Sequence, residues 1–173
     1  MIKSNIFESL LIKIKKYIYY LKINELFFIE NLQKIKLTNF MSLITFIFNP
    51  YLYIILIFLL FIKNIITFDN LILLFIGQII IIFLKNIIKR KRPFVYDTNI
   101  INMEITYIDK YSFPSGHTFN AFLLFYILNY NSIIPYIIGI SRVYLGVHYP
   151  SDVIAGALLA KLVFLLSKKI NSK

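Results

Sequence analysis

Cysteine and tryptophan are absent from the 173 residues, and histidine occurs only twice. Without cysteine the chain has no disulfide, no thiolate metal ligand and no thiol nucleophile. Two histidines and no cysteine also argue against a His/Cys metal site. Acidic residues are scarce: 8 against 19 basic ones, for a formal charge of +11. On a soluble chain that excess would point to nucleic acid. Here 59% of the residues are hydrophobic, with 17 Phe and 13 Tyr, against ~45–50% apolar residues in soluble domains. A chain of this length cannot hide so much apolar surface from water, so the class it predicts is an all-α, polytopic membrane bundle. The basic residues crowd the ends of the apolar runs, where they snorkel and meet anionic head groups. Membrane lipids and a phosphate-bearing partner are therefore expected, and nucleic acid is not.

Residues 1–36 read as an N-terminal interfacial segment and 37–173 as the transmembrane domain. Ile6, Leu10, Leu11, Ile14, Ile18 and Leu21 recur at helical spacing, while Lys13, Lys15, Lys16 and Lys22 interrupt the stripe. That pattern predicts an amphipathic helix lying in the interface rather than a span. No short apolar core ends in a small-residue cleavage site, so a cleaved signal peptide is not expected. A short half-buried helix precedes Asn49-Pro50. About five spans follow: Tyr51 to Phe68, Leu71 to Ile88, Pro114 to Asn129, Ile133 to Val147, and Pro150 to Leu166. Asp69-Asn70 and Asn129 to Ser132 supply turn chemistry between them. Lys89, Arg90 and Lys91 read as head-group anchors at the end of span two. Lys161, inside the last span, carries no catalytic expectation.

Polar groups gather at matching span ends. Lys85 and Arg92-Pro93 end span two, Pro114-Ser115-Gly116-His117 begins span three, and Ser141-Arg142 and His148 to Asp152 join spans four and five. Spans three and four form a hairpin, so the start of one and the end of the other share a face. Ionisable groups near hydrocarbon are costly and call for a function. The chemistry these suggest is phosphoryl transfer. Lys85, Arg92 and Arg142 can neutralise phosphate oxygens. Free backbone N–H groups around Ser115 to His117 can point at an anion, and Gly116 lets the backbone come close. Tyr149-Pro150 keeps His148 outside the last helix, whose first turn favours the Asp152 carboxylate. Asp152 can then orient His148 as nucleophile, leaving His117 to protonate the departing oxygen.

Together the three segments resemble the signature of the type 2 phosphatidic acid phosphatase superfamily: K-x6-RP, PSGH and SR-x5-H-x3-D. Lys85, Arg92-Pro93, Pro114 to His117, Ser141-Arg142, His148 and Asp152 fill every specified position in order. The resemblance implies a helical bundle acting as a phosphatase without a metal or other cofactor, through a phosphohistidine intermediate. It implies His148 as nucleophile, Asp152 as its partner and His117 as acid. Lys85, Arg92, Ser115, Gly116 and Arg142 would bind phosphate. Five spans rather than six resemble the compact bacterial branch, which includes undecaprenyl-diphosphate phosphatases, although some of those carry an Asp where this chain has Gly116. The implied substrates are phosphatidic acid, phosphatidylglycerophosphate or a polyprenyl diphosphate. A lipid phosphotransferase using the same site, or a non-catalytic protein binding anionic lipids, are the alternative readings. Lys168, Lys169 and Lys173 follow the last span, so the positive-inside rule puts that end in the cytoplasm and the site on the extracytoplasmic or luminal face. The lysine-rich N-terminus would then share the outer face, against the same rule.

Overall fold

The structure, a computed structural model, describes residues 20–46, 48–103 and 109–171. Among them every regular element is helical. Residues 20–33 form α1. It is followed by α2 (Thr38–Phe46), α3 (Pro50–Ile62), α4 (Phe68–Ile88), the single turn α5 (Pro93–Tyr96), α6 (Gly116–Ile127), α7 (Ile134–Tyr144) and α8 (Pro150–Asn171). Most of the expected amphipathic stripe, Ile6 through Ile18, lies outside the described residues.

The helix ends follow local chemistry. Pro50, Pro93 and Pro150 each open a helix, where the missing N–H costs nothing. Asn49 accepts from the Tyr51 N–H at 3.1 Å and caps α3. Several boundaries differ from the hydropathy reading. α3 stops at Ile62, because Asn64 turns into the left-handed region (φ 55°), and α4 starts at Phe68. Thr67, not Asp69-Asn70, marks that start, with its hydroxyl accepting from the Asn70 N–H at 3.4 Å. Asp69 therefore sits in the first turn of α4, where a carboxylate complements the helix dipole. α8 also outlasts its expected end, running to Asn171.

α6 is the central helix. Every residue from Thr118 to Leu124 is buried, and the helix touches α4, α7 and α8. Phe119, Leu123, Ile138, Leu74, Ile81 and Ala160 are part of its core. Gly156 lets α8 come against α6: a Cβ there would stand 2.7 Å from the Ser115 carbonyl oxygen. This close approach joins the starts of the two helices, with the Ser115 N–H donating to the Asp152 carbonyl at 3.0 Å.

The outer surface is apolar. Phe58, Phe75, Ile79, Phe83, Leu158 and Leu162 are all exposed. Such a surface would be unfavourable in water and is what a hydrocarbon environment covers. The stretch Phe68–Tyr96 is long and apolar enough to cross a membrane, and Thr38–Phe46 with Tyr51–Ile62 forms a second candidate bent by 45°. By contrast α3, α6 and α7 have 13, 12 and 11 residues, or about 16–20 Å of helix. That is less than the ~30 Å hydrocarbon thickness, so the loops at their ends, which carry the polar groups, lie within the depth of the bundle.

Candidate active site

α4 delivers Lys85 in its last turn and then stops at Lys89, which is left-handed (φ 50°). The Lys85 side chain is nearly buried; its ammonium donates to the Tyr111 carbonyl at 2.8 Å and to Asp109 Oδ1 at 3.2 Å. Arg92 follows on extended backbone as the residue before Pro93. Its Nη1 donates to the Val147 carbonyl at 2.6 Å, and its Nη2 to Asp109 Oδ1 at 2.6 Å. The Asp109 carboxylate thus bridges the two cations of the expected phosphate clamp.

α6 starts at Gly116, with Ser115 as its cap. The Ser115 hydroxyl is fully buried, accepts from the Thr118 N–H at 3.4 Å and lies 2.9 Å from Thr118 Oγ1. Ser115 was expected to bind phosphate, with the backbone N–H groups of 115–117 aimed at the anion; the structure places its hydroxyl in the helix cap. A Cβ at Gly116 would meet only Ile81 Cγ2, at an ordinary 3.6 Å.

α7 supplies Arg142, whose Nη1 donates to Thr45 Oγ1 on α2 at 2.7 Å. The turn from α7 to α8 depends on Gly146 (φ +75°), where an added Cβ would also lie 2.5 Å from the Ile101 carbonyl oxygen. His148 then sits just before α8, its N–H bonded to the Arg142 carbonyl at 3.3 Å. Its Nδ1 faces Asp152 Oδ2 at 3.5 Å and its Nε2 faces Arg92 Nη1 at 3.4 Å. Asp152 Oδ2 also accepts from the Tyr149 N–H at 3.0 Å, which closes the first turn of α8 around the carboxylate.

Lys85, Arg92, Gly116, His117, Arg142 and His148 all line one cavity of about 170 Å³, with Asp109, Gln78 and Asn120 also on its wall. Asp152 is fully buried behind His148. Burial holds His148 well below the usual histidine range, and the nearby Arg92, Lys85 and Arg142 add to the effect. The imidazole is therefore neutral at physiological pH, with Nε2 on the side of Arg92. Among the described residues, no three His, Asp or Glu side chains gather as a metal site would require.

Four participants were not legible as such. Arg90, read from its setting as a head-group anchor, instead turns inward: its Nη1 donates to Asp152 Oδ1 at 2.7 Å and its Nη2 to Glu25 Oε2 at 2.7 Å. Glu25, Asp109 and Thr45 belong to no motif and reach the site only through packing. Arg90 and Arg92, two residues apart between α4 and α5, both turn inward.

The helical arrangement is shared with known structures. It superimposes on Aquifex aeolicus LpxE with a TM-score of 0.70, covering 82% of this chain and 93% of that one at 24% identity. For the first transmembrane PAP2 type phosphatidylglycerolphosphate phosphatase from Bacillus subtilis the TM-score is 0.68, covering 93% and 95% at 24% identity. In sequence, the chain is 35% identical to phosphatidylglycerophosphatase B of Bacillus subtilis over 36% of its own length and 40% of that protein's. It is 38% identical to the bacitracin transport permease protein BcrC of Bacillus licheniformis over 41% and 38%. Each of these two alignments thus spans less than half of the relative. Residues 51–173, which include all six of the cavity residues the motifs predicted, match the PAP2 superfamily model, and the chain belongs to that superfamily.

Proposed function

We propose that this chain is an integral, multi-pass membrane phosphatase that hydrolyses a lipid phosphate, or a polyprenyl diphosphate, through a phosphohistidine at His148 and without a metal. The observation that carries the reading is the placement of one neutral imidazole. His148 has a carboxylate on one nitrogen and the cation-lined cavity on the other.

The substrate phosphate binds between Lys85, Arg92, Arg142 and the backbone at Gly116, displacing Asp109. His148 Nε2 attacks phosphorus, forming an N–P bond as the bond to the lipid oxygen (or to the leaving phosphate) breaks. His117, protonated in the presence of the anion, gives its proton to that oxygen. Asp152 stabilises the positive charge that develops on the His148 ring. Water then attacks the phosphoryl group, His117 takes its proton, the N–P bond breaks and orthophosphate leaves. In this reading Ser115 serves the anion by holding the N–H groups of α6 in place; to bond phosphate itself, its hydroxyl would have to turn away from the cap.

A second cavity, of about 460 Å³, lies between α3 and α4 and is walled by Tyr53, Phe58, Phe61, Leu74 and Phe75. It shares Gln78 and Asn120, which are hydrogen-bonded to each other, with the phosphate cavity. An apolar cleft that meets an anion site suits an amphiphile with its tail in the bilayer. The names of the relatives favour phosphatidylglycerophosphate among such substrates. Asp152 and Lys168 stand about 24 Å apart along α8, so a cytoplasmic basic tail puts the site on the outer face.

The test is phosphate release in detergent from a panel of mono- and diphosphorylated lipids, with and without EDTA. Release from at least one lipid, undiminished by chelator, is the expected result. Release that needs an acceptor lipid would mean a phosphotransferase, and binding without turnover would overturn the enzymatic reading.

A further inference from the structure

Arg90 and Glu25 have no place in the chemistry above, yet they form a continuous charged chain that ends on Asp152. Arg90 Nη1 lies 2.7 Å from Asp152 Oδ1 and 2.6 Å from Ser151 Oγ. Its Nη2 lies 2.7 Å from Glu25 Oε2, and the other Glu25 oxygen accepts from the Ser151 N–H at 2.7 Å. The guanidinium is stacked 3.7 Å over the Tyr149 ring. Asp152 is fully buried, while the Arg90 and Glu25 side chains are 25% and 16% exposed. The site carboxylate therefore has His148 on one oxygen and Arg90 on the other.

Without Arg90 the buried carboxylate would keep no cation, only a neutral imidazole, the Tyr149 N–H and the Ser112 side chain, and would be poorly compensated. It could swing between partners or take up a proton, and in either case cease to hold the His148 ring. Arg90 opposes both: its fork engages Asp152 and Glu25 at once, and its charge works against the burial that favours the protonated carboxyl. Glu25 fixes the fork from α1. That helix is itself held against the site by Ile29, which is fully buried and shares a cluster with Val143 and Tyr149. The α1 segment, expected to serve as a lipid anchor, thus reaches the nucleophile in three steps: Glu25, Arg90, Asp152.

We propose that Arg90 is a positioning residue for the Asp152–His148 pair and that Glu25 of α1 completes it; the inference rests on the phosphatase reading. Acting through Asp152, Arg90 contributes to kcat and leaves substrate binding alone. R90Q should lower kcat, per folded enzyme, about 10–100-fold, the range typical of partners that orient a reacting ligand, with KM within about 2-fold of the parent; because a smaller folded fraction would lower the apparent kcat in the same way, the folded fraction is measured for each variant. R90K keeps the charge without the fork and should recover only part of the loss.

A double-mutant cycle in detergent-purified full-length protein provides the decision. In a D152N background, R90Q should change kcat by less than about 2-fold, since the residue it acts through has already lost its charge. An equal loss in both backgrounds, or a rise in KM at constant kcat, would overturn the inference and make Arg90 a packing or head-group residue. Should R90Q fail to accumulate, E25Q runs the same cycle, with an expected several-fold loss of kcat that vanishes in D152N. Fully active R90Q and E25Q beside a crippled D152N would sink this proposal alone. A fully active D152N would remove the orienting role of Asp152 and this proposal with it, whereas an active His148→Ala would sink the phosphohistidine reading.

Discussion

His148→Ala should release no measurable phosphate from any lipid, a fall in kcat of at least about 10⁴-fold, in line with the loss of a nucleophile from other covalent hydrolases. The reason lies in how little else could attack. The chain has no cysteine; of the two motif serines, Ser115 caps α6 and Ser141 donates to the Ile138 carbonyl at 2.7 Å. His117 is the other imidazole on the wall, but no carboxylate is hydrogen-bonded or ion-paired to it among the described contacts. Lys85, Arg92 and Arg142 do not pass through the changed ring, so inorganic phosphate should still bind and protect the variant against heat. Parallel assays of phosphate release and thermal midpoint with and without phosphate would separate lost chemistry from lost folding. Asp152→Asn should be milder, because it removes the orienting charge and leaves the nucleophile.

Arg92→Gln should come next, with kcat/KM down by about 10²–10³-fold, the loss typical of removing one preorganised donor from a developing anion. Arg92 holds three parts of the site at once: the Val147 carbonyl beside the nucleophile, the Tyr111 carbonyl and the Asp109 side chain. Arg92→Lys should recover little of the loss, since an ammonium cannot span these directions. Asp109→Asn should move the other way. Its carboxylate occupies the position between Lys85 and Arg92 where phosphate would bind, and removing its charge should lower KM and tighten inhibition by orthophosphate severalfold. Steady-state kinetics of the three variants on one lipid would check both directions. A rise in KM for Asp109→Asn would mean that the carboxylate supports the clamp instead of competing for it.

Much of this site is visible in the chain because its residues sit at helix ends, where a change from apolar runs to Pro, Gly and charge marks both the boundary and the chemistry. Lys85, Arg92, Ser115, His117, Arg142, His148 and Asp152 were expected on one face from the order of the segments; five of them line one cavity, while Asp152 is buried behind His148 and Ser115 caps α6. Side-chain direction was less legible. Ser115 was expected on phosphate, but a serine before a helix is also its natural cap, and the cap holds it. Arg90 sits in a basic run that composition alone assigns to lipid; its inward turn is set by partners 62 and 65 residues away. Such pairings depend on where α1 and α8 come to rest, which no local pattern records. Helix limits went astray for a related reason: Ile65, Ile66 and Phe68 let the apolar run read on past Lys63, while the Asn64 turn and the Thr67 cap end one helix and begin the next.

The phosphoenzyme itself is the most direct test. Lipid carrying a ³²P-labelled phosphate should be mixed with the enzyme, quenched in alkali within the first turnover, and the protein digested and mapped. The account predicts label on the peptide containing His148, labile to acid and absent from His148→Ala. Full turnover with no label on His148, or with label on another side chain, would contradict it.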